Sequence, residues 1–338
     1  MYAFALACLV AVPSVLQNPG AEPEPQARAQ PAVAQKAKKA PEAWSKLERL
    51  AGGEWIASGE GAPPNFHRFW FGPGKRSIWS HTRSDKDLAA YPKAEAVYYW
   101  HPGTKALRSI SVAEGGTVAD QTLRWNGDTL VTDLDYFVAG SKAEFASRWE
   151  FDGTEAYKWS LFSKTPNGLA EAMKVQFGHS DELRPLPEIA PPIFEAAAPL
   201  AFLAGLTGTW KAVIHGDSKK NAMGATQFRF EAGGHCLAVR GGEGDAGRRR
   251  PFQGIAFWHP GSKSVQYLQI DDRGELREGT VRAEDDGTAV FELQVYAGDQ
   301  ASSLVERWKP SSESTIQIER SAESADGRTH VVQLQLTR

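Results

Sequence analysis

Cysteine is nearly absent from this 338-residue chain, which has two, Cys8 and Cys236. If the N-terminal segment is cleaved only Cys236 is left, so no intramolecular disulfide can brace the fold. No sign of charge dominates: 38 basic residues stand against 41 acidic ones, for a net charge of −3. A nucleic-acid binder needs a dominant basic field, so no nucleic-acid partner is expected. The one basic cluster, Arg248-Arg249-Arg250, lies in a glycine-rich stretch near Glu243 and Asp245 and reads as a solvated loop. No apolar run reaches the roughly 18 residues of a membrane-spanning helix, so no integral membrane domain is expected. Gly-x-Ser-x-Gly, His-Glu-x-x-His, Cys-x-x-Cys and Gly-x-x-x-x-Gly-Lys-Ser/Thr are all missing, which removes the common hydrolase, zinc-protease, redox and nucleotide signatures.

What the chain does contain is a copy of itself. Trp100-His101-Pro102-Gly103-Thr104-Lys105 returns 158 positions later as Trp258-His259-Pro260-Gly261-Ser262-Lys263. Gly53-Glu54-Trp55 answers Gly208-Thr209-Trp210, and Arg148-Trp149 answers Arg307-Trp308. Phe69, Phe71, Gly74 and Ile78 answer Phe228, Phe230, Gly233 and Leu237. A collinear series of this kind marks an internal duplication. It divides the chain into a signal-peptide-like segment (1–17), an Ala/Pro/Lys tether (18–42), a first unit (43–181), a Pro-rich linker (182–199) and a second unit (200–338). Each unit is long enough to bury its own core.

The run Phe4–Leu16 is apolar but too short to span a bilayer, so it reads as an export signal and predicts a secreted or periplasmic protein;. It lacks a basic n-region, and Cys8 has too little hydrophobic sequence before it for lipid anchoring. The tether cannot bury enough apolar area to fold. Five prolines make 182–199 a stiff connector;.

Within the units the apolar period is two. Val332, Leu334 and Leu336 alternate with Gln333 and Gln335, and Leu130, Thr132, Leu134 and Tyr136 share one face, as do Tyr157, Trp159 and Leu161;. Turn signals such as Asn126-Gly127 and Asp152-Gly153 separate these runs;. The reading is all-β, with each unit an antiparallel sandwich or barrel, and closure into a barrel removes exposed edges. Short helices are expected at Glu42–Ala51 and Phe194–Leu206.

The segments Leu47–Trp55 and Phe202–Trp210 resemble the helix-to-strand opening of calycin barrels, the lipocalin-like superfamily, where Gly-x-Trp begins the first strand. More narrowly, the units are similar to bacterial lipocalin-like domains known as DUF1579. That pattern runs through a Gly-Gly-x-x-Leu hairpin, here Gly233–Leu237, to a strand ending in an aromatic-Asp-Pro turn. Here those strands read Gly254–Pro260 and Ala96–Pro102, with His in place of the more usual Asp or Asn. The resemblance implies two tandem antiparallel lipocalin-like β-barrels, each preceded by a short helix and joined by the Pro-rich linker. The family has no established activity. The resemblance also implies an Arg stacked over the Gly-x-Trp indole, with Arg320 and Arg338 the candidates in the second unit.

Gly53, Trp55, Gly208 and Trp210 therefore read as packing residues, the indole plugging a closed end and Gly admitting the neighbouring backbone. His101-Pro102-Gly103 and His259-Pro260-Gly261 read as type II turns whose histidine bonds back to the turn. The other histidines show no ligand spacing, and neither metal nor cofactor is expected. Candidate ligand contacts are the aromatic residues Trp79, Tyr98, Trp100 and Tyr267. Three functions follow. The leading one is a non-enzymatic protein that binds a small hydrophobic ligand in a barrel cavity; the others are an interaction module with filled barrels, of unidentified protein partner, and a haem-dependent or hydrolytic enzyme in a barrel mouth. The first unit holds Trp55, Trp70, Trp79, Trp100, Trp125, Trp149 and Trp159, the second only Trp210, Trp258 and Trp308. That asymmetry predicts a larger aromatic-lined pocket in the first.

Overall fold

A computed structural model describes residues 42–58, 65–84, 93–181, 194–214, 222–243, 249–323 and 329–338. The export-like segment, the tether up to residue 41 and linker residues 182–193 lie outside the described residues. Alternating runs become strands throughout. In the first unit these are β1 (Glu54–Ser58), β2 (Asn65–Phe71), β3 (Ser77–Ser84), β4 (Ala94–His101), β5 (Ala106–Ala113), β6 (Val118–Asn126), β7 (Thr129–Val138), β8 (Ser141–Asp152), β9 (Ala156–Thr165) and β10 (Gly168–Ser180). The second repeats them as β11 (Gly208–Ile214), β12 (Ala222–Glu231), β13 (Cys236–Glu243), β14 (Arg250–His259), β15 (Ser264–Asp271), β16 (Leu276–Ala283), β17 (Ala289–Ala297), β18 (Gln300–Ser312), β19 (Thr315–Glu323) and β20 (Thr329–Thr337). In each unit sequential neighbours pair antiparallel, and the first strand also pairs with the last, giving two closed ten-stranded barrels. Closure leaves no free edge.

One end of each barrel is plugged. Helix α1 (Glu42–Leu47) runs into a 3-10 turn at Glu48–Leu50 and buries Trp44, Leu47 and Leu50. The second barrel has no α-helix in this place. Its nine-residue Ala198–Leu206 segment is 3-10, burying Leu200, Leu203 and Leu206. Apolar residues every third position fall on one stripe when three residues make a turn, which explains that choice. Trp55 and Trp210 sit fully buried beneath these caps, each donating its indole N–H to a cap carbonyl, Leu50 O at 2.9 Å and Leu206 O at 2.6 Å.

The barrels pack outer face to outer face. Trp79, Val97, Tyr99, Ile110, Val112 and Val118 of the first form one cluster with Cys236, Ile255, Phe257, Leu268, Ile270 and Leu276 of the second. The contacts are reciprocal. His101 lies on Tyr296 with ring centroids 5.0 Å apart, and His259 lies on Phe137 at 4.7 Å. The same patch of each unit meets the other, as in a two-fold dimer fused into one chain. Cys236 is a free, fully buried thiol in this layer, and burial raises its pKa.

The repeated hexapeptide takes its meaning here. His101 Nδ1 accepts from the Thr104 backbone N–H at 3.1 Å, and His259 Nδ1 accepts from the Gly261 and Ser262 N–H groups at 3.2 Å. The type II expectation needs correcting, because Gly103 and Gly261 do not adopt positive φ; Lys105 (φ 51°) and Lys263 (φ 52°) do. Glycine is favoured for a different reason. A Cβ on Gly103 would meet the Tyr296 ring at 2.7 Å, and one on Gly261 would meet Phe137 at 2.5 Å.

Candidate functional site

The two interiors differ. The first barrel encloses a cavity of about 240 Å³ away from its plugged end, whereas the second retains about 50 Å³. Strand register shows where the difference arises. Ser111 faces Ala119 in the first barrel as Gln269 faces Arg277 in the second, and Ser147 faces Leu161 as Glu306 faces Arg320. Short or apolar side chains in one unit thus stand where long polar ones, three of them charged, stand in the other.

Those charged residues form a network inside the second barrel. Arg277 donates both terminal nitrogens to Glu243 at 3.1 Å, while Arg320 bridges Glu243 at 3.0 Å and Glu306 at 2.7 Å. Burial alone would raise the Glu243 pKa, but Arg277 and Arg320 outweigh it and hold the group down at about 2. Tyr267 is buried here and donates to Gln269 Oε1 at 2.6 Å.

The first cavity is lined largely by rings, including Tyr98, Tyr136, Trp149, Tyr157, Trp159 and Phe177, and by no Asp, Glu, Lys or Arg among the described residues. His67 faces it from β2, its ring tilted against that of Phe177 with centroids 4.8 Å apart. Desolvation lowers its pKa to about 4, so the imidazole is neutral at pH 7. Burial pushes Tyr98 up to about 12, partly offset by Ser109 and Ser80, and raises Tyr136 and Tyr157 as well. These phenols stay protonated and can donate. The Tyr157 hydroxyl is buried and has no hydrogen-bond partner among the described residues.

Of the four expected ligand contacts, only Tyr98 lines this cavity. Trp79 points the other way, into the layer between the barrels, with its indole N–H donating to Ser77 Oγ at 2.9 Å. Trp100 packs against the aromatic core of the first barrel. Tyr267 belongs to the second interior. His67 and Tyr157 were not among the expected contacts. A signal existed: His67 lies two residues before Phe69, and Tyr157 two before Trp159, so each shares the inward face of a strand;.

A more open groove of about 380 Å³ lies between the barrels and is lined by equivalent pairs, among them Tyr99 with Phe257, His101 with His259 and Asp120 with Glu278. Its polar groups are engaged with one another: His101 Nε2–H donates to Glu278 at 2.7 Å and Arg108 to Asp120 at 2.6 Å.

The fold and cavity define a tandem closed-barrel protein with one hollow unit. No protein family matches the sequence, and no curated protein does. Among solved structures the chain is similar to a protein of unknown function from the DUF3598 family of Nostoc punctiforme, at 10% identity over 88% of this chain and 100% of that one, with a TM-score of 0.21. The barrel architecture rests on the strand pairings themselves. Among the described residues no helix is long and apolar enough to cross a membrane.

Proposed function

We propose that the first barrel binds a small, largely apolar ligand in its interior and that the second is a filled scaffold. The carrying observation is the contrast between equivalent interiors, about 240 Å³ against about 50 Å³. A cavity of ~150 Å³ accepts a benzene, whereas drug-sized sites start near ~300 Å³. The expected ligand therefore has one or two rings, and a haem exceeds the space. An interaction module would be expected to fill both interiors. The Gly-x-Trp plugs and the Arg338 guanidinium 4.5 Å over Trp210 support a lipocalin-like reading of the DUF1579 kind. Ten strands per barrel, against the eight of lipocalins proper, count as a departure from it;. The apolar Phe4–Leu16 run supports export, and cell fractionation is expected to place the protein outside the cytoplasm.

Trp149 and Trp159 line the cavity, so their fluorescence reports occupancy. Titration with indane is expected to give a saturable change, and Ala119→Phe, which fills the void, to abolish it with the circular dichroism spectrum unchanged. No saturable change in the wild-type protein overturns the proposal.

A further inference from the structure

We infer that the ligand of the first barrel is a flat, uncharged molecule with an amide edge, a lactam in class, whose ring lies on an aromatic wall and whose edge meets the side-chain amide of Gln121. The inference rests on the binding function proposed above and adds the chemistry of what is bound.

The lining of the cavity is sorted by strand. Asn65, His67, Thr82, Ser111 and Gln121 stand on β2, β3, β5 and β6, within one contiguous half of the barrel. Strands β7–β10 close the other half with Tyr136, Trp149, Trp159, Phe177 and apolar neighbours. Ser147, the small polar residue on that side, is already engaged with Thr132 at 2.7 Å and Trp149 at 3.3 Å. A planar ring can stack on such a wall or meet it edge to face. An occupant that is apolar all round would match one half and not the other.

Gln121 reaches from the polar half into the enclosed space. Inward positions alternate along β6, where Leu123 belongs to the core of this barrel and Ala119 lines the cavity, so Gln121 between them points in;. It is only half-buried, and in a closed barrel the open part of an inward side chain is its far end, here the amide. Among the described residues nothing hydrogen-bonds to that amide, and it is not sealed off as the Tyr157 hydroxyl is. The filled barrel has no such group: Ser109 faces Gln121 as Tyr267 faces Gly279.

A carboxamide offers both a donor and an acceptor. Any occupant displaces solvent from both, and one that cannot replace those bonds loses affinity. A lactam holds its N–H and C=O side by side, as the Gln121 amide does, so the two can close a pair of hydrogen bonds. A charged edge is disfavoured, because no Asp, Glu, Lys or Arg lines the cavity among the described residues and an ion would be buried unpaired;. His67, neutral at pH 7, adds no charge to the polar half.

The discriminating experiment compares four probes of similar shape at pH 7 by isothermal titration calorimetry. Oxindole carries the full lactam edge, 2-indanone has CH2 in place of its N–H, indane lacks both polar groups, and indane-2-carboxylate is charged. In the wild-type protein oxindole is expected to bind about tenfold tighter than indane, with 2-indanone between them and no binding of the carboxylate. Gln121→Met, of similar length but without the amide, is expected to bring oxindole and 2-indanone to the affinity of indane while leaving indane unchanged. Equal affinities for oxindole and indane in the wild type, or an unchanged preference in Gln121→Met, overturn this inference and leave the binding function standing. So does 2-indanone binding as tightly as oxindole, or the carboxylate binding as tightly as either. Binding of none of the probes overturns both. Should Gln121→Met fail to fold, Gln121→Ala, which removes bulk from the wall, gives the same comparison: a retained preference for oxindole over indane overturns the inference, and its loss supports it.

Discussion

Leu161 in the first barrel and Arg320 in the second hold the same place in the strand lattice, opposite Ser147 and Glu306 respectively. Leu161 borders a hollow, whereas Arg320 is tied into a carboxylate network that occupies the corresponding space.

That network should be fragile to the loss of one member. Arg320→Leu leaves Glu306, only 6% exposed at its side chain, without its main partner. Removing one partner of a buried pair typically costs ~3–5 kcal/mol, and about 3 kcal/mol is expected here because Arg320 is partly exposed. The double variant Arg320→Leu/Glu306→Ser, which copies the first barrel, should recover most of it. Urea denaturation measures both; a double variant no more stable than Arg320→Leu contradicts the account.

His67 should make stability depend on pH in a defined window. Its pKa falls from 6.5 to about 4 on folding, so the unfolded chain takes up the proton first as pH drops. The contribution is complete above about 6.5 and lost between there and about 4, a loss on the order of 2 kcal/mol given that the ring faces a cavity. Glu243, held down at about 2, gives a separate loss at lower pH. Thermal melts at pH 7 and pH 4.5 should show a smaller drop for His67→Leu than for wild type; identical drops would refute the assignment.

Substituting the interlocking glycines should loosen the joint between the barrels. Gly103→Ala drives a methyl into Tyr296, and overpacking of this kind costs ~1–3 kcal/mol;. Gly74→Ala should cost more, because Gly74 has φ 58° and its Cβ would strike the Asp272 carbonyl, which cannot step aside as a ring can. Combining Gly103→Ala with Tyr296→Ala should be less damaging than the sum of the two. Strict additivity in denaturation experiments would count against contact between them.

Arg338 fastens the second cap. It lies over Trp210 and donates to Thr207 O at 2.6 Å and Gly205 O at 3.2 Å. As it is exposed, Arg338→Ala is expected to cost about 1 kcal/mol. Retention of full thermal stability and an unshifted Trp210 emission would show that the stacking is incidental.

Much of this architecture is readable from residue order. Alternation along Leu130, Thr132, Leu134 and Tyr136 becomes the buried face of β7. Trp79 shows where such reading stops. Strands β3 and β4 are buried on both faces, one toward the barrel interior and the other toward the second barrel. With no polar face to mark the outside, hydrophobicity cannot say which aromatic points inward. The turn at Gly103 escaped for a related reason, since its glycine answers to Tyr296 in the other unit and not to its own backbone angles.

The sequence by itself determined what is local or repeated: the duplication, the period-two strands and the tryptophans that follow each cap. Only the tertiary structure decided which barrel is hollow, which arginine stacks on Trp210, and that the Tyr157 hydroxyl has no hydrogen-bond partner among the described residues. Each of these depends on groups far apart in the chain and brought together by closure, as Arg338 is to Trp210, and side-chain volume and hydrogen bonding inside a barrel exist only once its first and last strands have paired.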